Sequence, residues 1–407
     1  MQAIKTVGRG SAHQRSRLRS GLVAAQVGVS FVLLVVAGLL SRSLLTLHRA
    51  DPGFAAQDLL TVEVPLPPRS YDGEARTRFF ATLVERIRAI PGVHAAGAIS
   101  QLPLRNPDND ISVYDAATPP ANVSDRGNGY HRLVLPGYFQ AMGIPLVAGR
   151  DIQLSDTQSS RRVVVISQVL AEQLFPGMEP LGRNIVVDGA SDQPWEVVGI
   201  VTDIKASRLS EPRGSRGAFY RPHAQIPEST MRLAIRASVA PETLVPAVRA
   251  VLQDLDSNVP LAGPRTMQQV IDHATIGQKA QAIVLAAFSA LAVVLAAAGI
   301  YGLLAYRVRQ QQRDIGIRMA LGADPRAVAR AVFRHAGRLV LLGSMAGIAG
   351  AWGVSRLIRG SLYGVGPNDP FVYGAVVLAM VGLTTLAAWL PARRATRVNP
   401  VEALRAE

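Results

Sequence analysis

Hydrophobic and polar positions divide this chain into two regimes. Four runs lose charge completely: residues 20–41 (22 residues), 280–306 (27), 339–355 (17) and 370–392 (23). A helix needs about 20 apolar residues to cross the hydrocarbon core. Three runs meet that length, and the third is extended by Ala336, Gly337, Leu357 and Ile358, with Arg338 and Arg356 able to snorkel to the interfaces. The first run is too long for a signal-peptide core, and no small-x-small cleavage site follows it. All four are read as spans.

The stretch between the first and second runs changes period. Residues 62–66 alternate and are closed by Pro67-Pro68. Residues 74–90 carry Phe79, Phe80, Leu83, Ile87 and Ile90 along one helical stripe, stopped by Pro91-Gly92. Residues 163–166 are β-branched, and Ser167 then opens a helix through Leu174, with Val169, Leu170 and Leu174 inward. Residues 185–187, 195–201 and 231–237 predict strands. Residues 241–255 predict one helix with Pro in its first turn. The expected fold is a membrane α-helical protein of four transmembrane helices with an inserted α+β extracytoplasmic domain. The expected divisions are a basic N-terminus (1–19), the first span (20–41), the inserted domain (42–279), the second span (280–306), a cytoplasmic loop (307–338), the third span (339–355), a short external loop (356–369), the fourth span (370–392) and a tail (393–407).

Composition agrees with a hybrid. Hydrophobic residues are 49% and mean hydropathy is +0.21, too apolar for an ordinary soluble protein and too polar for a bare bundle. The chain has no Cys, which excludes disulfides, thiolate catalysis and Cys-based zinc sites. A net charge of +14 could suggest nucleic acid, but its distribution says otherwise. Residues 1–19, 307–338 and 393–407 hold 17 basic and 4 acidic residues, whereas residues 42–279 hold 24 of each. Positive charge flanking one side of the spans marks the cytoplasm. Both termini are therefore expected inside and residues 42–279 outside, with membrane lipids rather than nucleic acid as the surroundings.

Candidate chemistry is sparse. His48, His94, His131, His223 and His273 are scattered without ligand spacing. Asp108, Asp110 and Asp115 lack the periodicity of a calcium loop and are read as a solvated loop. Neither G-x-S-x-G nor H-E-x-x-H occurs, so no catalytic, cofactor or metal site is expected and the chain is not read as an enzyme. No span carries a charge near its centre, which argues against an ion pathway. In the third span, Gly343, Gly347 and Gly350 have the small-residue spacing of a helix-packing face, either within the chain or across a dimer.

The loop between the second and third spans is the most informative segment. Residues 314–321 suit a short amphipathic helix with Ile317, Ala320 and Leu321 on one face and Gly322 as its stop. Asp324 is a good N-cap and Pro325 a good first residue for the helix that follows, whose Val328, Val332 and Leu339 lead towards the third span. An apolar face ringed by arginine suits docking into a partner's groove, and a solvated basic loop would give a similar pattern.

Here the chain resembles a known family. Arg313-Asp314-Ile315-Gly316-Ile317-Arg318, with Ala320-Leu321-Gly322-Ala323, is similar to the R-E-I-G-I-R-x-A-L-G-A signature of MacB/FtsX-type ABC transporter permeases. Leu390-Pro391-Ala392-Arg393-Arg394-Ala395 and Asn399-Pro400-Val401-Glu402-Ala403-Leu404-Arg405 resemble that family's C-terminus. In the inserted segment, Pro136-Gly137-Tyr138-Phe139, Gly143-Ile144-Pro145-Leu146, Gly149-Arg150-Asp151, Ala171 through Gly177, Pro180 through Arg183 and Val197 through Asp203 resemble the MacB-like periplasmic core. The resemblance implies a bacterial inner-membrane permease that couples ATP hydrolysis to movement of its periplasmic domain, for efflux or mechanotransmission. Arg313–Gly322 would be the ATPase-coupling loop, with Asp314 standing where the family often has Glu. It implies a homodimer, or a pseudo-dimer with a similar permease half, and a periplasmic adaptor as an optional partner. No Walker A motif occurs in the chain, so ATP-Mg is expected on a separate ABC ATPase. The alternative is a regulator or adaptor that moves no substrate and controls a periplasmic partner such as a cell-wall hydrolase. The start, Met1 through Gly10, is similar to the join between halves of duplicated acidobacterial-type permeases, which implies one half of such a protein or a truncated gene model.

Overall fold

Helix α1 (Ile4–His48) outruns its charge-free run by two turns at the far end, because helical propensity and packing continue where lipid compatibility stops. The computed structural model describes residues 4–105, 110–122, 125–189, 193–310, 312, 317 and 324–396. They divide into residues 50–276 and the helices on either side.

Residues 50–276 hold two layered halves. In the first, β1 (Leu59–Pro65) alternates strictly, sending Leu60, Val62 and Val64 to one face. Helix α2 (Gly73–Arg88) is capped by Asp72, which accepts from Ala75 N at 2.7 Å, and buries Phe79, Phe80, Leu83, Val84 and Ile87 against that face. After β2 (Val93–Ile99) the chain leaves for the second half. It contains β3 (Asp110–Asp115), β4 (Gly127–Val134), α3 (Tyr138–Met142), β5 (Leu146–Gly149), β6 (Val163–Ser167), α4 (Gln168–Leu174), β7 (Asn184–Val187), β8 (Trp195–Val201) and β9 (Gly217–Pro222). The chain returns through β10 (Thr230–Ala237), α5 (Val245–Leu255), β11 (Ala262–Thr266) and α6 (Met267–Ala274). Strand order in the first half is β11-β1-β10-β2, all antiparallel, and α5 adds Val248 and Leu252 to the core under α2.

The second half is a closed ring. Its order is β4-β3-β7-β8-β6-β9, and β9 pairs back to β4 in parallel from Gly129↔Gly217 to Val134↔Pro222. Closure removes edges from these strands. Val113, Val164, Ile166, Ile185, Val187, Trp195, Val197 and Phe219 form its core, sealed by Leu170 and Ala171 of α4. Among the described residues, one strand pairing, Ile99↔Val134, joins the ring to the first half.

Two expectations need correction. Residues 241–255 are not one helix: Pro241–Leu244 is a 3₁₀ turn and α5 begins at Val245. Pro246 has no N–H to continue an earlier turn, so its place is the start of a new one. Asp110 and Asp115 do not lie in a solvated loop but bound β3. Asp110 pairs with Arg216, and Asp115 is buried, accepting from Ala117 N at 3.0 Å and from Thr118 Oγ1 at 3.1 Å. Asp108 lies outside the described residues.

Helices α7 (Ile276–Gln310), α8 (Pro325–Leu357) and α9 (Pro370–Ala395) complete the chain. With α1 they are, among the described residues, the four helices long and apolar enough to cross a membrane. The third is much longer than its charge-free run of 339–355, since Asp324 and Pro325 start it well before Leu339. A shared core of Val27, Phe31, Val35, Ile300, Leu339, Val340, Val376 and Met380 runs through the group.

Candidate coupling and packing elements

Most of the expected coupling loop, namely Arg313, Asp314, Ile315, Gly316, Arg318, Ala320, Leu321 and Gly322, lies outside the described residues. Ile317 is helical and 39% exposed, an apolar side chain left open in a basic segment. Asp324 accepts from Arg326 N at 2.9 Å and Pro325 takes the first turn of α8. Arg307 near the end of α7 lies 3.2 Å from His335 Nδ1 of α8. Arg394 of α9 donates to Tyr301 Oη of α7 at 3.1 Å, and the Arg19 guanidinium of α1 sits 4.8 Å from the Tyr306 ring centroid. Each helix thus has an arginine or its acceptor in this basic end.

Gly343 and Gly347 face α1 within the same chain. A Cβ on Gly343 would stand 2.7 Å from the Ala24 carbonyl oxygen, and one on Gly347 2.6 Å from Phe31 Cβ. Gly28 on α1 answers them, with its own Cβ position 3.2 Å from the Gly343 carbonyl oxygen. Gly350 is looser, at 3.1 Å from Val32 Cγ2. Small residues on both helices let the backbones meet, which is how apolar helices gain contact where no hydrophobic drive separates them from lipid. Helix α7 joins α1 differently, through Ser30 Oγ to the Ala292 carbonyl (2.9 Å) and Ser289 Oγ to the Leu33 carbonyl (3.0 Å).

At the other end of the bundle Arg42 of α1 pairs with Asp369, the N-cap of α9, which also accepts from Phe371 N at 3.0 Å. Ser43 Oγ accepts from Tyr363 N at 2.7 Å. After α1 the chain enters the inserted domain as residues 50–58, and two arginines hold this strap to the domain. Arg213 donates to Asp51 Oδ2 (3.0 Å) and the Asp203 carbonyl (2.7 Å). Arg236 donates to the carbonyls of Ala55 (2.8 Å), Gln57 (3.1 Å) and Ala141 (2.8 Å). Gly53, at φ +84°, leaves no room for a Cβ, which would lie 2.7 Å from the Asp203 carbonyl oxygen. No sequence signal singled out Arg213 or Arg236, because their partners are mostly backbone carbonyls.

Residues 21–255 match the model of the MacB-like periplasmic core domain, and residues 286–400 match that of the FtsX-like permease C-terminal region. The chain belongs to the MacB/FtsX-like ABC transporter permeases. It is 27% identical over 277 residues to the pyoverdine export ATP-binding/permease protein PvdT of Pseudomonas savastanoi pv. phaseolicola, a match covering 65% of this chain and 40% of that protein. It is 25% identical over 296 residues to the uncharacterized ABC transporter permease YvrN of Bacillus subtilis, covering 66% of this chain and 68% of that one. The chain therefore spans about 40% of the length of the PvdT relatives it matches. The periplasmic region of MacB from Actinobacillus actinomycetemcomitans overlaps 55% of this chain and 95% of its own length, at 14% identity and a TM-score of 0.36.

The MacB-like core buries several titratable groups, and their surroundings show what they can do. His131 on β4 stacks on Phe219 of β9, with ring centroids 5.3 Å apart, and its Nε2 accepts from Arg221 Nε at 3.1 Å. Burial, reinforced by the Arg221 and Arg132 cations, pushes His131 down to about 3. Burial and the neighbouring Arg162 bring Arg221 down to about 10. His223 is also lowered by burial. A neutral imidazole whose Nε2 accepts from an arginine and whose face stacks on Phe219 packs the ring of strands. Among the described residues no three His, Asp or Glu side chains gather as a metal site.

Proposed function

We propose that this chain is the permease subunit of an ABC transporter of the MacB/FtsX type, coupling ATP hydrolysis by a separate cytoplasmic ATPase to movement of its periplasmic domain. The basic surplus in residues 1–19, 307–338 and 393–407 supports placing both termini in the cytoplasm. The observation that carries the reading is the construction of α1 and α8. Backbone-to-backbone contact at Gly343 and Gly347 makes the two helices one stiff unit. The coupling loop precedes α8 and the strap to the domain follows α1, so a push at the loop has a rigid path to the strap. Interiors packed this closely transmit displacement and do not absorb it. A second permease half is expected on α7, whose Ile283, Phe288, Leu291 and Val294 are exposed.

The test is site-specific photocrosslinking. A photoreactive side chain at Ile317 should capture a cognate ABC ATPase in membranes, while one at Leu378, exposed on α9, should not. Equal capture at both positions, or none at Ile317, would remove the basis for a coupling loop.

A further inference from the structure

A groove of about 610 Å³ runs between the C-terminal end of α1 and the N-terminal half of α9. Its walls are apolar and mostly small: Gly38 and Leu45 on α1, and Ala375, Val376 and Ala379 on α9. Val372 blocks its inner side, since a Cβ on Gly38 would stand 2.8 Å from Val372 Cγ1. The helices therefore touch at that point, and the alanines leave a channel open beside it. From Phe371 to Ala379 the channel extends about 12 Å along α9, close to the depth of one leaflet of a core about 30 Å thick.

Its mouth is cationic. Arg42 on α1 and Arg49, in the turn just past the helix's last residue, both line it. The Asp369 carboxylate is already engaged by Arg42 and by the backbone N–H groups of Phe371 and Val372. Arg49 is exposed, with no side-chain ion pair or hydrogen bond among those described. A one-leaflet apolar slot under an uncompensated guanidinium is complementary to one kind of molecule, an amphiphile with an alkyl tail and a phosphate head.

We propose that this groove is a binding site for an anionic glycerophospholipid of the domain-side leaflet, with one acyl chain between α1 and α9 and its phosphate on Arg49, next to Arg42. The site is independent of the coupling reading. It gives the bundle a lipid tie at the point where α1 leaves the membrane. Arg49 carries the charge selection, and the alanines of α9 carry the space.

The experiment is native mass spectrometry of the full chain in detergent with added phosphatidylglycerol or phosphatidylethanolamine. Phosphatidylglycerol should be retained preferentially. Arg49→Gln should cut that retention about fivefold, as expected for one basic residue at an anionic surface, while Arg49→Lys keeps most of it. Ala375→Phe, which fills the groove, should reduce retention of both lipids while leaving the thermal midpoint within a few degrees of wild type. Inorganic phosphate at millimolar concentration should not displace the lipid. Equal retention of both lipids by the wild type, an unchanged Arg49→Gln variant, or displacement by phosphate alone would each overturn the proposal.

Discussion

The backbone of Gly343 on α8 lies against the backbone of Ala24 on α1, so closely that a Cβ on the glycine would come within 2.7 Å of the Ala24 carbonyl oxygen. Neither helix can rotate or slide there without losing the contact. Gly343→Leu should therefore force the pair apart and lower stability by about 1–3 kcal/mol, the usual cost of overpacking. Gly353, ten residues along the same helix, has nothing within 4 Å of its Cβ position. Gly353→Ala should be neutral or slightly stabilising. Thermal unfolding of both variants in one detergent separates the two cases, and equal losses would show that the glycine face is not a close contact.

Much of this bundle was legible in the sequence, and the reasons are physical. Charge-free runs of bilayer length have few other uses in a protein, so the four spans could be read directly. Asp324-Pro325 marked the start of α8 because capping is local. The glycine spacing announced a packing face, but its partners, Ala24, Gly28 and Phe31, are some 300 residues away and leave no mark near Gly343. Strand β2 was missed for a related reason. Its sequence Val93-His94-Ala95-Ala96-Gly97-Ala98-Ile99 has no β-branched alternation. The small residues are there because α3 packs on it: a Cβ on Gly97 would stand 2.4 Å from Tyr138 N. Ring closure between β4 and β9 is likewise a long-range fact.

Acid should weaken the MacB-like core through His131. Its folded-state value is held near 3, by burial first and then by Arg221 and Arg132, against an ordinary value of 6.5. Between those values the unfolded chain binds a proton that the folded chain does not. The stability contributed by the neutral ring is therefore complete above about pH 6.5 and falls as pH drops towards 3. His223 shifts in the same direction and adds to the slope. His131→Gln keeps an acceptor for Arg221 and removes the titration, so its denaturant midpoint should depend less on pH across this window than that of the wild type. Identical pH profiles would mean that His131 binds its proton equally well in the folded and the unfolded chain.

The strap at residues 50–58 should be held mainly by arginine. Arg236→Ala removes donors from the Ala55, Gln57 and Ala141 carbonyls, and charged hydrogen bonds of this kind are worth about 1.5–3 kcal/mol each when buried, less in this half-exposed setting. Hydrogen exchange should quicken at residues 52–58 with little change in β1 or β10. Arg213→Ala should act on the same segment from its other side, through Asp51. An unchanged exchange pattern in both variants would mean that the strap is fixed by its backbone contacts, such as Lys205 N to the Pro52 carbonyl, alone.

The ion pair of Arg42 with Asp369 has a separate test. Asp369→Ala removes both the pair and the cap of α9. Asp369→Asn keeps an N-capping oxygen and loses only the charge. The alanine variant should lose about 1 kcal/mol more than asparagine, the typical worth of a cap. Equal effects in thermal unfolding would assign the whole contribution to the ion pair.

We propose that the segment around Ile317 couples this permease to an ATPase. The most direct measurement is the ATPase rate of the cognate ATPase reconstituted with the full chain, wild type against Ile317→Asp, in lipid vesicles. Wild type should stimulate hydrolysis, and the variant should lose both stimulation and co-purification while its thermal midpoint stays at the wild-type value. Full stimulation and binding by a normally folded Ile317→Asp protein would contradict the account.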